Sequence, residues 1–238
     1  IQLALHQSVF GLHRGHHLSL GGQGLSMGAR RCGGFILRGG KLVAFLDANS
    51  LMESRNQQNP MMAQMGGGGS SLDKLLKAWG VHFENTKVVA DVNFQMEVGG
   101  RNGQPSQQPT WLSITAEGID TNDVVTSQID NIWYFAGGAF SGTPVAGLKE
   151  TVLFRSTADS QLVDGMMANL SPESALKDFK ASGTEHALAI RLTGKFKTAF
   201  PDGKPAEKQA DDKKDSDPAP DAKKPDDSLK EGKTDGTA

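Results

Sequence analysis

The sequence predicts an α/β domain built as a Rossmann-like or flavodoxin-like open sheet with some antiparallel strands, carrying a disordered charged tail. Three observations point there. The stretch Phe35-Ile-Leu-Arg-Gly-Gly-Lys-Leu-Val-Ala-Phe-Leu-Asp-Ala-Asn-Ser50 reads as a helix end, a double-glycine stop, a buried strand and an acidic loop, which is one αβ step of an open sheet. Strand-like and helix-like segments alternate from there to about residue 200. From Pro201 to Ala238 the chain holds eight Lys and eleven Asp or Glu, with Leu229 its only large apolar residue. That leaves too little apolar surface to offset the entropy of ordering it.

The chain accordingly divides into an atypical arm at residues 1–34, a globular region at 35–200 and a Lys/Asp/Pro linker at 201–238. The arm carries His6, His13, His16 and His17, four of the six histidines, among Gly and Arg. Its apolar residues, Leu3, Leu5, Val9, Phe10, Leu12, Leu18 and Leu20, follow neither a helical nor a strand period. The helix that should lead into Gly39-Gly40 is not legible in it. The arm therefore reads as a poorly ordered extension, or as sequence from a shifted reading frame.

Within the globular region, Lys41 to Leu46 suits a strand buried on both faces. Residues 48–71 are polar and Met-rich and end in Gly66-Gly67-Gly68-Gly69-Ser70-Ser71, a flexible surface loop. Ser70 or Ser71 can cap a helix whose Leu72, Leu75, Leu76 and Trp79 form one apolar stripe, closed by Gly80. Val88-Val89-Ala90 is a strand. Val92, Phe94, Met96 and Val98 alternate with polar residues as in a half-buried strand. Gly99 to Pro109 is a long loop, and Trp111 to Thr115 a short strand. Asp130 to Ala136 and Thr151 to Arg155 are further strands. Leu162 to Leu170 suits a short helix, and Ser171-Pro172-Glu173 starts another that runs to about Phe179. His186 to Leu192 is the last strand.

A formal net charge of −2 gives no basic field for nucleic acid. Cys32, alone of its kind, excludes an intrachain disulfide. No apolar run of about 18 residues is present to span a bilayer, and no basic region followed by an apolar run marks a signal peptide. The missing initial Met and the linker-like end read as a fragment of a longer protein.

Chemistry-bearing residues are sparse. His13, His16 and His17 have ligand-like spacing, but a Gly-rich arm supplies no preorganisation, so no metal is expected. Cys32 lies beside Arg30 and Arg31, yet without a base it is no nucleophile. The candidate ligand-binding residues are Asp47 and Asn49 at the end of the first strand, Asp91 after Ala90, and Gly137 with Gly138 after the aromatic strand. Against each stands an ordinary structural role. Asp47 can cap the turn through Asn49 and Ser50, and Gly137-Gly138 lacks the phosphate-binding glycine pattern and reads as a turn. Trp133, Tyr134 and Phe135 read as sheet core. No nucleophile–base pair or cofactor motif emerges, so the chain reads as non-enzymatic and without cofactors.

Residues 35 to about 200 resemble the auxiliary-component family of uncharacterised ABC-type transport systems, of the gliding-motility type. The resemblance is carried by Phe35-Ile-Leu-Arg-Gly-Gly-Lys-Leu-Val-Ala-Phe-Leu-Asp47, Leu72-Asp-Lys-Leu-Leu-Lys-Ala-Trp-Gly-Val81, Asn131-Ile-Trp-Tyr-Phe-Ala136 and Glu150-Thr-Val-Leu-Phe-Arg-Ser-Thr157. It implies a Rossmann-like domain at the cell membrane, on its periplasmic or extracytoplasmic face, followed by a polar linker and a membrane helix. It also implies the permease and ATPase of an ABC system as partners. Residues 1–34 depart from the family pattern, and attachment to the membrane would run through segments absent from this chain. The nucleophilic Cys of related amidotransferase-like folds has no counterpart after Phe35. The function expected is that of a non-enzymatic extracytoplasmic auxiliary subunit working by protein or envelope-substrate binding; the alternative is a small-ligand or sugar-binding domain.

Overall fold

A helix does precede the double glycine. In the computed structural model, which describes residues 2–9, 12–19, 25–48, 72–99, 104–165, 168, 179–201 and 236–238, with backbone alone for 2–28 and Arg30, α1 spans Leu25–Leu37. It closes in a glycine cap. Gly39 takes a φ of +83° and donates to the Ile36 carbonyl at 2.8 Å, while Gly40 donates to Phe35 at 3.0 Å. A left-handed residue at this position satisfies carbonyls that the helix end leaves open. Ala29, Cys32 and Ile36 fall at i, i+3 and i+7 and are all buried. The helix thus runs through the composition change at Phe35, and part of the segment read as an arm belongs to the core.

The strands, in chain order, are β1 (Gln2–Val9), β2 (Leu12–Ser19), β3 (Lys41–Phe45), β4 (Val81–Phe83), β5 (Lys87–Asp91), β6 (Gln95–Gly99), β7 (Pro105–Thr115), β8 (Asn131–Phe135), β9 (Phe140–Gly142), β10 (Leu148–Arg155), β11 (Ser160–Asp164), β12 (Ala187–Gly194) and β13 (Gly236–Thr237). The second helix, α2, is Asp73–Ala78, and a 3-10 turn at Ala116–Gly118 follows β7. The main sheet runs β2-β1-β3-β13-β12-β9-β4, with β10 on β12. A second sheet pairs β11 with β5, and a third runs β6-β7-β8.

This corrects the expected Rossmann-like or flavodoxin-like α/β fold. The chain is mostly strand, in curled sheets. Among the described residues every strand pair is antiparallel except the single contact Thr237↔Lys41 between β13 and β3. Parallel neighbours need crossovers of about a dozen residues or more, and β4 to β8 follow one another with no α-helix between them among the described residues. Two local expectations fail for the same reason. Leu162 to Asp164, read as helix, lies in β11 and pairs with β5 from Leu162↔Val89 to Asp164↔Lys87. β3 is covered on one face only: Leu42 is buried, whereas Val43 and Phe45 are exposed. Residues 171–178 of the expected helix, the loop at 49–71 with its capping serines, and the charged stretch 202–235 lie outside the described residues, and Phe179 is not helical.

The stripe Leu72, Leu75, Leu76 and Trp79 packs as expected. With Ile36, Leu42, Phe83, Leu192 and Phe196 it forms the larger core, between the helices and the main sheet. Trp79 meets Phe196 edge-on at 4.9 Å and donates its indole N–H to the Lys197 carbonyl at 3.2 Å. Gly80, with φ +80°, turns the chain into β4 where a Cβ would strike the Thr143 carbonyl. A second core, Val89, Phe94, Leu112, Ile114, Ile119 and Leu188, lies beneath the β6–β8 sheet.

The last residues of the chain complete the main sheet. Ala238 exchanges backbone hydrogen bonds with Leu192 at 2.5 and 2.8 Å. Gly236 is pressed so closely that a Cβ would sit 3.0 Å from Ile36 Cγ2 and from the Ile36 carbonyl. Gly236→Val should destabilise the fold by about 1–3 kcal/mol through overpacking, read by urea unfolding. It should also accelerate hydrogen exchange at the Leu192 amide, which loses its acceptor; unchanged exchange there would refute the role given to β13.

Candidate functional site

Tyr134 organises one corner that holds three of the sequence-predicted residues. Its ring lies inward in the half-buried alternation of β8, and its hydroxyl donates to the Gly138 carbonyl at 2.6 Å. Burial, and after it the negative charge of Asp47, pushes that hydroxyl well above the ordinary tyrosine range. Asp47 itself is exposed at the end of β3. Ala136, with φ +43°, leads into Gly137-Gly138, so a residue with a side chain is held in the left-handed region here.

The two glycines are required by the chain's own packing. A Cβ at Gly137 would fall 2.2 Å from the Tyr134 ring, and one at Gly138 would overlap the Glu84 carbonyl. The Gly137 carbonyl accepts from Val89 N at 2.9 Å, and Ala139 O from Glu84 N at 2.8 Å. Asn49 lies outside the described residues.

Asp91 is placed elsewhere, at the far end of β5, and is wholly buried. Its Oδ1 accepts from Asn93 N at 2.8 Å, Phe94 N at 3.2 Å and Thr157 Oγ1 at 3.1 Å, and its Oδ2 from Thr157 N at 2.7 Å. One carboxylate thereby fixes the turn after β5 against the turn after β10. Ser156 and Ser160 hydroxyls meet at 2.8 Å beside it, and the Ser156 hydroxyl accepts from His186 N at 2.8 Å. His186 Nε2 is buried without a partner in the described structure. Burial pushes the imidazole below its ordinary range, opposed in part by the charge of Asp91. Ser, His and Asp stand near one another, but each hydroxyl and carboxylate is committed to holding backbone. Cys32 is buried on the inner side of α1, and that burial pushes its thiol up and away from reactivity. His13, His16 and His17 lie on β2, and their side chains are outside the described set.

A second polar junction escaped sequence reading. Asp123 grips Arg191 of β12 with both oxygens, at 2.5 and 2.8 Å, and accepts from Val125 N at 2.9 Å. The Val125 hydrogen bond, then Arg191, holds its carboxyl below the usual range. Thr126, also buried, ties its hydroxyl to the Asp120 carbonyl at 2.5 Å. The loop so braced lifts Val124 and Val125 into solvent, Val124 at 85% exposure. Asp-Val-Val-Thr at 123–126 held a usable signal, an acidic turn former next to two β-branched residues outside any strand.

The outer face of β6–β8 was missed as well. Tyr134 is core as expected, but Trp133 is 63% exposed and Phe135 is also exposed. Phe135 packs edge-on against Trp111 at 5.3 Å and against Trp133 at 6.1 Å. Asn131 donates to Ser113 Oγ at 2.7 Å across the β7–β8 pair. Strand alternation over Asn131–Phe135 contained this answer, because Ile132 and Tyr134 cannot share a face with Trp133 and Phe135.

Two outcomes test the Asp91 junction. Asp91→Ala strands the amides of Asn93, Phe94 and Thr157 and should cost about 3 kcal/mol or more in urea unfolding. His186 is neutral in the fold at pH values where the unfolded chain, with an ordinary pKa of about 6.5, begins to take up a proton. Its contribution is therefore fully present above that pH and is lost as pH falls towards the folded-state pKa. Stability measured from about pH 7.5 to about pH 5 should decline less steeply in His186→Gln than in the parent; parallel curves would refute it.

Comparison with known families adds one finding. The model of a family described as an ABC-type uncharacterized transport system matches residues 33–229. No curated protein and no solved structure matches the chain significantly. The matched span begins within α1 and takes in β3 to β12, and so includes the Tyr134 corner, the Asp91 junction and the braced loop. With that much of its length matched, the chain belongs to the auxiliary-component family of ABC-type uncharacterized transport systems.

Proposed function

We propose that this protein is a non-enzymatic contact subunit of its ABC-type transport system, binding the permease from the extracytoplasmic face of the cell membrane and, through it, associating with the ATPase. The family supports an auxiliary role beside membrane components, and no helix among the described residues is long and apolar enough to cross a membrane. In this reading residues 35–200 supply the contact surface. Membrane attachment belongs to segments outside this chain. The gliding-motility assignment rests on the resemblance of the αβ-step and aromatic-strand motifs.

The observation that carries the reading is the loop at Asp120–Ile129. Two neighbouring valines stand in water on a backbone fixed by Asp123, Arg191 and Thr126. Apolar side chains on a rigid loop lose little entropy when a partner covers them, which is the economy of a preorganised contact. Crosslinking and capture from native membranes should recover the permease and ATPase with the parent chain. Val124→Asp with Val125→Asp should reduce that capture by about tenfold or more, with the unfolding midpoint moved by no more than ~2 °C. Failure of the parent to capture either subunit would overturn the reading.

A second reading is favoured by the exposure of Asp47 at the end of β3: a small-ligand or sugar site using Asp47 beside Gly137-Gly138. A thermal shift with sugars or nucleotides, abolished in Asp47→Asn, would favour it.

A further inference from the structure

Among the described residues β8 is an edge strand without protection. Within that set it pairs with β7 alone, in an unbroken register from Trp111↔Phe135 to Thr115↔Asn131. Soluble proteins blunt such edges with charge, proline or a bulge. β8 has none of these: Asn131-Ile-Trp-Tyr-Phe135 is uncharged, contains no proline and has no register shift along the pair. The contrast within the molecule is β3, which also exposes two apolar side chains but has β1 on one edge and β13 against the other.

Backbone polarity fixes what the open edge offers. Ala136 N donates to the Thr110 carbonyl at 2.8 Å, continuing the ladder. In an antiparallel pair hydrogen-bonded positions alternate. Tyr134 and Ile132 therefore turn their amides and carbonyls to β7, while Asn131, Trp133 and Phe135 turn theirs outward. The outward set is symmetric about Trp133.

We propose that β8 is the seam of a homodimer, in which a second copy of this chain pairs its own β8 antiparallel about a two-fold axis at Trp133. The register places Trp133 opposite Trp133 and Asn131 opposite Phe135, and each of these pairs exchanges N–H···O bonds in both directions. Because the strand carries no charge, self-pairing opposes no like charges. The two sheets become one six-stranded sheet whose outer face joins Trp111, Phe135 and Trp133 of both copies. The inner faces stay on their own cores, where Ile132 and Tyr134 already pack. Closed two-fold pairing also removes the edge, which open addition of strands would not. The area covered is on the order of several hundred Å² per copy, the low end for a specific interface, so the dimer is reversible. This inference needs nothing from the transport reading.

Sedimentation equilibrium of the whole chain from ~10 µM to ~1 mM spans the affinities such an interface supports and should give a monomer–dimer equilibrium. Trp133→Lys, and Trp133→Thr as a variant that keeps a strand-favouring residue, should weaken it at least tenfold; Phe45→Lys on β3 should leave it unchanged. Hydrogen exchange adds a signature that misfolding cannot imitate. The amides of Asn131, Trp133 and Phe135 should slow as concentration rises, while those of Ile132 and Tyr134 are protected throughout. A parent chain that stays monomeric, a Trp133→Lys variant that dimerises like the parent, or three outward amides indifferent to concentration would each overturn the proposal.

Discussion

β12 is the strand on which the rest of the structure depends. Both of its edges carry obligatory hydrogen-bonding groups that a buried strand cannot leave open. β10 satisfies one edge along nearly the whole length, from Leu148↔Gly194 to Arg155↔Ala187. The other edge is divided: β9 meets it at Ala187, and β13 at Thr193 and Gly194. Through β9 it holds β4 and hence α2, and through β13 it holds β3 and the β1–β2 hairpin. Its side chains join the two cores as well, Leu192 in the larger and Leu188 in the smaller.

Charge in this molecule serves to fix turns against that frame. Asp91 gathers amides from two separate turns, and Asp123 reaches across to Arg191 on β12. A carboxylate that accepts several amide hydrogens is worth more than a surface ion pair, because its partners would otherwise be unsatisfied in a low-dielectric setting. The exposed pair Arg155–Glu185, at 3.4 Å, has no such leverage. The Asp123 junction leaves the apolar valine tip standing on fixed backbone.

Much of the local structure was legible. The stripe Leu72–Trp79, the strand at Val88–Ala90, the strand at Asn131–Phe135 and the glycine stop at Gly39 follow from period and backbone chemistry. The global arrangement was not, because short apolar runs such as Lys41–Leu46 look alike in parallel and antiparallel sheets. Leu162–Asp164 has a helix-compatible pattern and is strand only because β5 lies beside it. β13 had no signal at all: Gly236-Thr-Ala238 is indistinguishable from the polar linker before it, and only its fit between Ile36 and Phe196 defines it. Among the candidate site residues, Asp47, Gly137 and Gly138 do gather around Tyr134, a neighbourhood set by contacts distant in sequence. The exposure of Trp133 was available from alternation but was outweighed by the general tendency of aromatic residues to be buried.

The position of β13 bears on how the molecule is made. The contact Thr237↔Lys41 joins residues near opposite ends of the chain, and such remote pairings form late because a large loop must close before they are rewarded. During synthesis β3 and β12 emerge with the groove between them unfilled. The main sheet closes only when Gly236 to Ala238 have left the ribosome. Until then the nascent chain exposes open edges to its neighbours, and a ribosome stalled in the charged stretch would hold it in that state.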